Sequence, residues 1–156
     1  MENSIKNTLF QLLTAGTFFC LPLLGGCQKA ELPDEVNTVE EARRVIVGEW
    51  EWERTEINYR GQGNTIYETP DTENKTIQYV FRKDGTAAKI ENGKDSIDYN
   101  FEIEESLESS DFHLTLSPKD INIQVSRTFL ILYNGNLILT NRLGVSSYYI
   151  RKAKQL

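Results

Sequence analysis

Side chains able to do chemistry are few in this chain, and their spacing limits what they can support. His113 is the single histidine. In Asp111-Phe112-His113-Leu114-Thr115 it alternates with Phe112 and Leu114. If those two face a core, His113 faces solvent, the setting of a surface imidazole rather than of a general base. Zinc needs several His or Cys ligands, and beside His113 the chain offers only Cys20 and Cys27. The oxygen-rich run Asp71-Thr72-Glu73-Asn74 lacks the ligand spacing of a calcium loop. Neither a metal nor any other cofactor is therefore expected. Glu102, Glu104, Glu105, Glu108 and Asp111 crowd one region. A catalytic carboxylate pair needs opposed placement across a cleft and a raised pKa in one member, whereas a run of this kind reads as a solvated loop. The expectation is a protein that is not an enzyme.

Cys27 carries the most specific signal. Residues 9–24, LFQLLTAGTFFCLPLL, are apolar and uncharged, follow Lys6, and end in Leu24-Gly25-Gly26-Cys27. A run of about 16 residues broken by a proline is short for a membrane span of about 20 and suits the core of a signal peptide. The tetrapeptide resembles the lipobox of bacterial lipoproteins. That resemblance implies removal of residues 1–26 and a lipid on Cys27, whose two or more acyl chains make a stable membrane anchor. Cys20 would leave with the leader, so the mature chain would hold no disulfide. Residues 27–37, with Gln28-Lys29-Ala30-Glu31 and Pro33, read as the lipidated cysteine and a flexible tether. The residues after the cysteine partly resemble the surface-export signal of Bacteroidetes lipoproteins. Anchoring in the outer membrane is expected, with both cell-surface display and a periplasm-facing orientation open.

What remains, residues 38–156, is enough for one domain with a single core. The chain's net charge is −6 and its acidic residues are spread along it. With no clustered basic run in the sequence, nucleic acid is not an expected partner, and the lipid rather than protein charge is expected to hold the membrane.

Thr38-Val39-Glu40-Glu41 reads as a capping box opening a short helix that Gly48 ends. From Glu49 the period becomes two. Trp50 and Trp52 alternate with glutamates, and the apolar parity shifts before Ile57, which predicts a bulge near Arg54. Residues 60–74 show no periodicity and read as a long flap. Further strands are expected around Ile77, Tyr79 and Phe81, from Thr86 to Ile90, at Ile97, Tyr99, Phe101 and Ile103, and at Phe112, Leu114 and Leu116. Ile121, Ile123 and Val125 alternate as another, followed by an apolar run from Phe129 to Tyr133. The last strands lie at 137–140 and 145–152, and Asp84-Gly85, Asn92-Gly93 and Asn134-Gly135 carry hairpin-turn chemistry. The fold expected is all-β: an antiparallel meander of about eight strands, closing into a barrel to remove its edges, behind a short N-terminal helix.

Gly48-Glu49-Trp50 at the junction of helix and first strand resembles the Gly-x-Trp of lipocalins. The segments from Tyr79 to Thr86 and from Asn134 to Leu139 resemble hairpins of the lipocalin-like domain of Bacteroidetes lipoproteins. The resemblance implies a lipocalin-like barrel in which the tryptophan closes one end beside an arginine of the final strand, here Arg151. The other sequence blocks of lipocalins are not evident. The function expected is non-enzymatic binding of a small apolar or amphipathic molecule, lying against alternating residues such as Ile77, Tyr79, Phe81, Tyr99 and Phe101. The alternative is a filled barrel whose surface contacts an unidentified protein or envelope polymer.

Overall fold

The computed structural model describes residues 33, 35–59, 63–107, 111–120 and 122–152. The first helix, α1 (Val39–Ile46), starts as the sequence dictates. Thr38 Oγ1 accepts from the Glu41 amide at 3.2 Å. The Glu41 carboxylate reaches back one residue further than a standard box, to the Asn37 amide at 3.4 Å. Glu40 and Glu41 in the first turn and Arg43 and Arg44 in the last complement the helix dipole. Ala42, Val45 and Ile46 form its buried face. The helix ends at Val47, and Gly48 turns into the sheet with φ +147°, where a Cβ would sit 2.9 Å from Arg151 Nη2.

The strands are β1 (Gly48–Ile57), β2 (Ile66–Glu68), β3 (Ile77–Phe81), β4 (Thr86–Glu91), β5 (Asp95–Glu105), β6 (Phe112–Pro118), β7 (Ser126–Tyr133), β8 (Asn136–Thr140) and β9 (Val145–Arg151). All pairings are antiparallel, each strand from β3 onward lies beside the next, and β9 returns to β1. The result is the expected closed, eight-stranded up-and-down barrel with one extra strand, β2. Since β9 covers one edge of β1 from Trp50 to Ile57, β3 and β2 share the other edge, at Gly48–Glu51 and Thr55–Ile57. The bulge is present. Trp52 faces Tyr149 and Arg54 faces Tyr148, so Glu53 is the additional residue. It brings Thr55 to the same inner face as Trp50 and Trp52, as the parity shift required.

Two segments differ from the sequence reading. Residues 60–74 are not one flap: they contain β2 and a helical turn, α2 (Pro70–Glu73). Thr69 and Thr72 form a reciprocal capping box with Pro70 in the first turn, and β2 pairs the edge of β1 beyond the bulge. The expected strand at 121–125 is absent among its described residues, and β7 starts only at Ser126. Asp120 explains this. Its carboxylate accepts from the Asn122 amide at 2.9 Å and its carbonyl from the Ile123 amide at 3.2 Å, an Asx turn that wins over alternation. The Asn134-Gly135 hairpin is a two-residue turn with both φ positive, 48° and 74°.

The inner face follows from the register. Trp50, Trp52, Tyr79, Phe81, Tyr99, Ile103, Phe112, Leu114, Leu116, Leu130, Leu132, Leu137 and Tyr149 are buried in one cluster. At the end where β1 begins, α1 is the stopper: Val36, Ala42, Val45 and Ile46 join that cluster, and Arg43 donates to the Ile103 carbonyl at 3.3 Å. Glu35 forms an isolated bridge with Tyr133 at the same end. The opposite end carries the connections after β1, β4, β6 and β8, and among the described residues no helix fills it in the same way.

Candidate functional site: the barrel interior

The five residues singled out from the sequence all lie on the inner face. Tyr79 pairs with Trp50 and Lys89, Phe81 with Gly48 and Ala87, Tyr99 with Ala87, and Phe101 with Leu116. Ile77, Tyr79 and Phe81 thus run along β3 from the open end to the sealed floor. Ala87 is small enough to let neighbouring rings meet across it. Phe81 and Phe101 meet edge to face at 5.2 Å, Tyr79 and Phe81 stack at 5.7 Å, and Tyr79 meets Tyr149 edge-on at 5.4 Å. Tyr79, Phe81 and Tyr99 are buried, whereas Ile77 and Phe101 are half-buried against the cluster. Burial raises the pKa of the Tyr79, Tyr99 and Tyr149 phenols above the ordinary value, and neighbouring Tyr149 and Tyr99 add to the effect at Tyr79. These hydroxyls are neutral groups in an apolar space, able to orient a polar atom without supplying charge.

The floor is built from Trp50. Its indole Nε1 donates to the Ile46 carbonyl at 2.7 Å, which ties the stopper helix to the first strand. The Arg151 guanidinium lies 5.6 Å from the Trp50 ring centre and donates to the Val47 carbonyl. This is the tryptophan and arginine arrangement that the lipocalin resemblance implies. Half-burial lowers the Arg151 pKa.

Toward the other end the inner face becomes polar and partly open. Thr55 is buried, accepts from Trp52 Nε1 at 3.0 Å and lies 2.9 Å from Ser147 Oγ. Lys89 faces Tyr79 and Ile97 across the sheet, and Glu91 faces Ile77, so both charges share the inner face. They form a loose pair at 3.8 Å, with 28% and 41% of the side chains exposed. Lys75 Nζ, from the connection between α2 and β3, stands 5.6 Å from the Trp52 ring centre. Around this mouth β2 and the connecting segments expose apolar side chains: Ile66 and Tyr67 from the strand, and Tyr59, Val125 and Leu143 from the connections. Sequence reading missed Lys89 and Glu91, because Ala87, Ala88 and Ile90 give β4 no clean alternation. Only the pairing with β3 assigns their face.

His113 lies on the outer face, its ring tilted at 38° against that of Phe129 with centroids 4.6 Å apart, and its buried Nδ1 has no hydrogen-bond partner among the described residues. It borders a shallow outer hollow of about 730 Å³. Glu104, beside it, is engaged by Arg127 at 3.1 Å. Glu102 and Glu104 share that outer face, and Glu108 lies outside the described residues. Among the described residues no group of three His, Cys, Asp or Glu side chains is placed to hold a metal, and no helix is long and apolar enough to cross a membrane. Cys27 lies outside the described residues. Comparison of the chain with protein-family models, curated proteins and solved structures finds no match.

Proposed function

We propose that this is a membrane-anchored lipoprotein whose lipocalin-like barrel binds a small apolar or amphipathic molecule without transforming it. The lipid on Cys27 holds it at the outer membrane. The reading rests chiefly on one observation: the inner face is sealed at one end by Trp50 and α1, and at the other end passes through half-buried Ile77, Ile97 and Leu139 to an inward Lys89–Glu91 pair. Such a gradient suits a ligand with its apolar part toward Tyr79, Tyr99 and Phe101 and its polar part at the mouth. The full chain, purified gently from its host and weighed by native mass spectrometry before and after organic extraction, should lose a defined mass beyond that of the anchor. A bare chain that stays bare after incubation with host lipid extract rules out the carried ligand.

A second reading has its own observation. The apolar side chains around the mouth, with Leu143 72% and Tyr67 58% exposed, form a surface suited to another protein or an envelope polymer. It is favoured if Tyr67→Ser and Leu143→Ser abolish co-purification of a partner while leaving the extractable mass unchanged.

A further inference from the structure

Four neighbouring strands build a hollow on the outside of the barrel that neither reading above uses. His113 on β6 stands opposite Glu104 on β5 and Phe129 on β7, and Phe129 stands opposite Thr140, the last residue of β8. Asn141 and Arg142 follow at once in the β8–β9 turn. With Arg127 and Glu105 these side chains border about 730 Å³, within the range of roughly 300–1,000 Å³ that small-molecule sites occupy.

The chemistry of the lining selects among ligands. Arg127 and Arg142 are matched in number by Glu104 and Glu105, so neither sign is in excess to draw an ion. A wholly apolar ligand needs enclosure to leave water, and the hollow is shallow. What fits is a neutral molecule, apolar on one face and rich in hydroxyls at its edge. The His113 and Phe129 rings, with centres 4.6 Å apart, supply the apolar wall, and the negative face of an aromatic ring attracts polarised C–H bonds. Arg127 and Glu104, 3.1 Å apart, set donors beside acceptors. Two adjacent hydroxyls, each both donor and acceptor, match such a pair. Asn141 is fixed before any ligand arrives, because its side-chain oxygen accepts from the Leu143 and Val145 amides at 2.9 and 3.2 Å. In the same wall, the buried His113 Nδ1 is polar capacity that the described residues leave unused.

We infer that this hollow binds a neutral saccharide, one sugar ring lying against His113 and Phe129 while Arg127, Glu104 and Asn141 take its hydroxyls. The site is separate from the barrel interior and does not depend on a ligand being carried there.

The single histidine makes the test direct, since the imidazole C–H signals in the proton NMR spectrum belong to His113 alone. The full chain, in a detergent without a sugar headgroup, is titrated with maltotriose, mannotriose, galactotriose and tri-N-acetylchitotriose to about 10 mM, well above a millimolar Kd. At least one should shift the His113 signals saturably and give intermolecular Overhauser contacts from sugar C–H protons to the His113 and Phe129 rings. Arg127→Ala, at an exposed position, should weaken that binding about tenfold, and Lys94→Ala, in the turn between β4 and β5, should leave it unchanged. No saturable shift with any of the four overturns the site. Binding that persists undiminished in Arg127→Ala, or that gives no contact to the two rings, places the sugar elsewhere and overturns it as well. Tighter binding of trigalacturonate or of the chitosan trisaccharide overturns the neutral class.

Discussion

At Trp50 a single side chain joins three parts of the molecule. The indole is fully buried, hydrogen-bonded to the last turn of α1, and covered by Arg151 from the closing strand. Trp50→Ala should therefore cost about 3–5 kcal/mol, read as a lower urea midpoint and earlier loss of α1 protection in hydrogen exchange. The buried tyrosines make a pH prediction. Their phenol pKa values are raised in the folded state, so their contribution is complete below the unfolded value near 10 and is lost as pH rises from there toward the folded values. Stability should fall above about pH 10, and Tyr79→Phe should shallow that alkaline slope in pH-dependent urea unfolding. At the β8–β9 turn, Gly144 has φ +86°, and a Cβ would collide with the Asn58 carbonyl oxygen. The same glycine accepts from the Asn58 amide at 2.8 Å. Gly144→Ala should cost about 1–3 kcal/mol by thermal unfolding, through backbone strain at this latch.

Among the elements, β1 is the one whose register decides the most. The extra residue Glu53 reconciles two inward tryptophans with inward Thr55, and its deletion should reverse the facing of one half of the strand. The expected outcome is loss of cooperative unfolding, followed by tryptophan fluorescence. The bulge was legible because the parity shift is written in the sequence. So were the 97–103 alternation, which became β5, and the Asn-Gly turn between β7 and β8, because local chemistry and tertiary pairing agree there. The segment at 121–125 alternates too, yet the Asp120 side chain supplies a competing turn. β2 was illegible for the opposite reason: three residues carry no period, and their strand exists only because β1 offers an edge. The candidate site divides in the same way. The inward facing of Ile77, Tyr79, Phe81, Tyr99 and Phe101 follows from alternation, whereas that of Lys89 and Glu91 depends on a neighbour's register.

For the molecule as a whole, charge is mixed rather than segregated. Even where α1 adjoins the ends of β1, β3 and β9, the cations Arg43, Arg44, Lys83, Arg151 and Lys152 stand beside Glu40 and Glu49, in a chain whose net charge is −6. Covalent staples play no part in the described domain, since Cys20 and Cys27 both precede it. Reductant should leave its thermal unfolding unchanged, a result that a calorimetric scan with and without dithiothreitol checks. The barrel's closure has a further consequence in time. The seam pairs the first strand with the last, Trp50 opposite Arg151, so no ordering of local hairpins completes it and closure must wait for β9. Folding of this kind is slow relative to helical proteins of equal size. A nascent chain would keep its barrel open until β9 has been made. The export proposed above is compatible with that delay, since a chain whose barrel is still open can be threaded through a narrow passage.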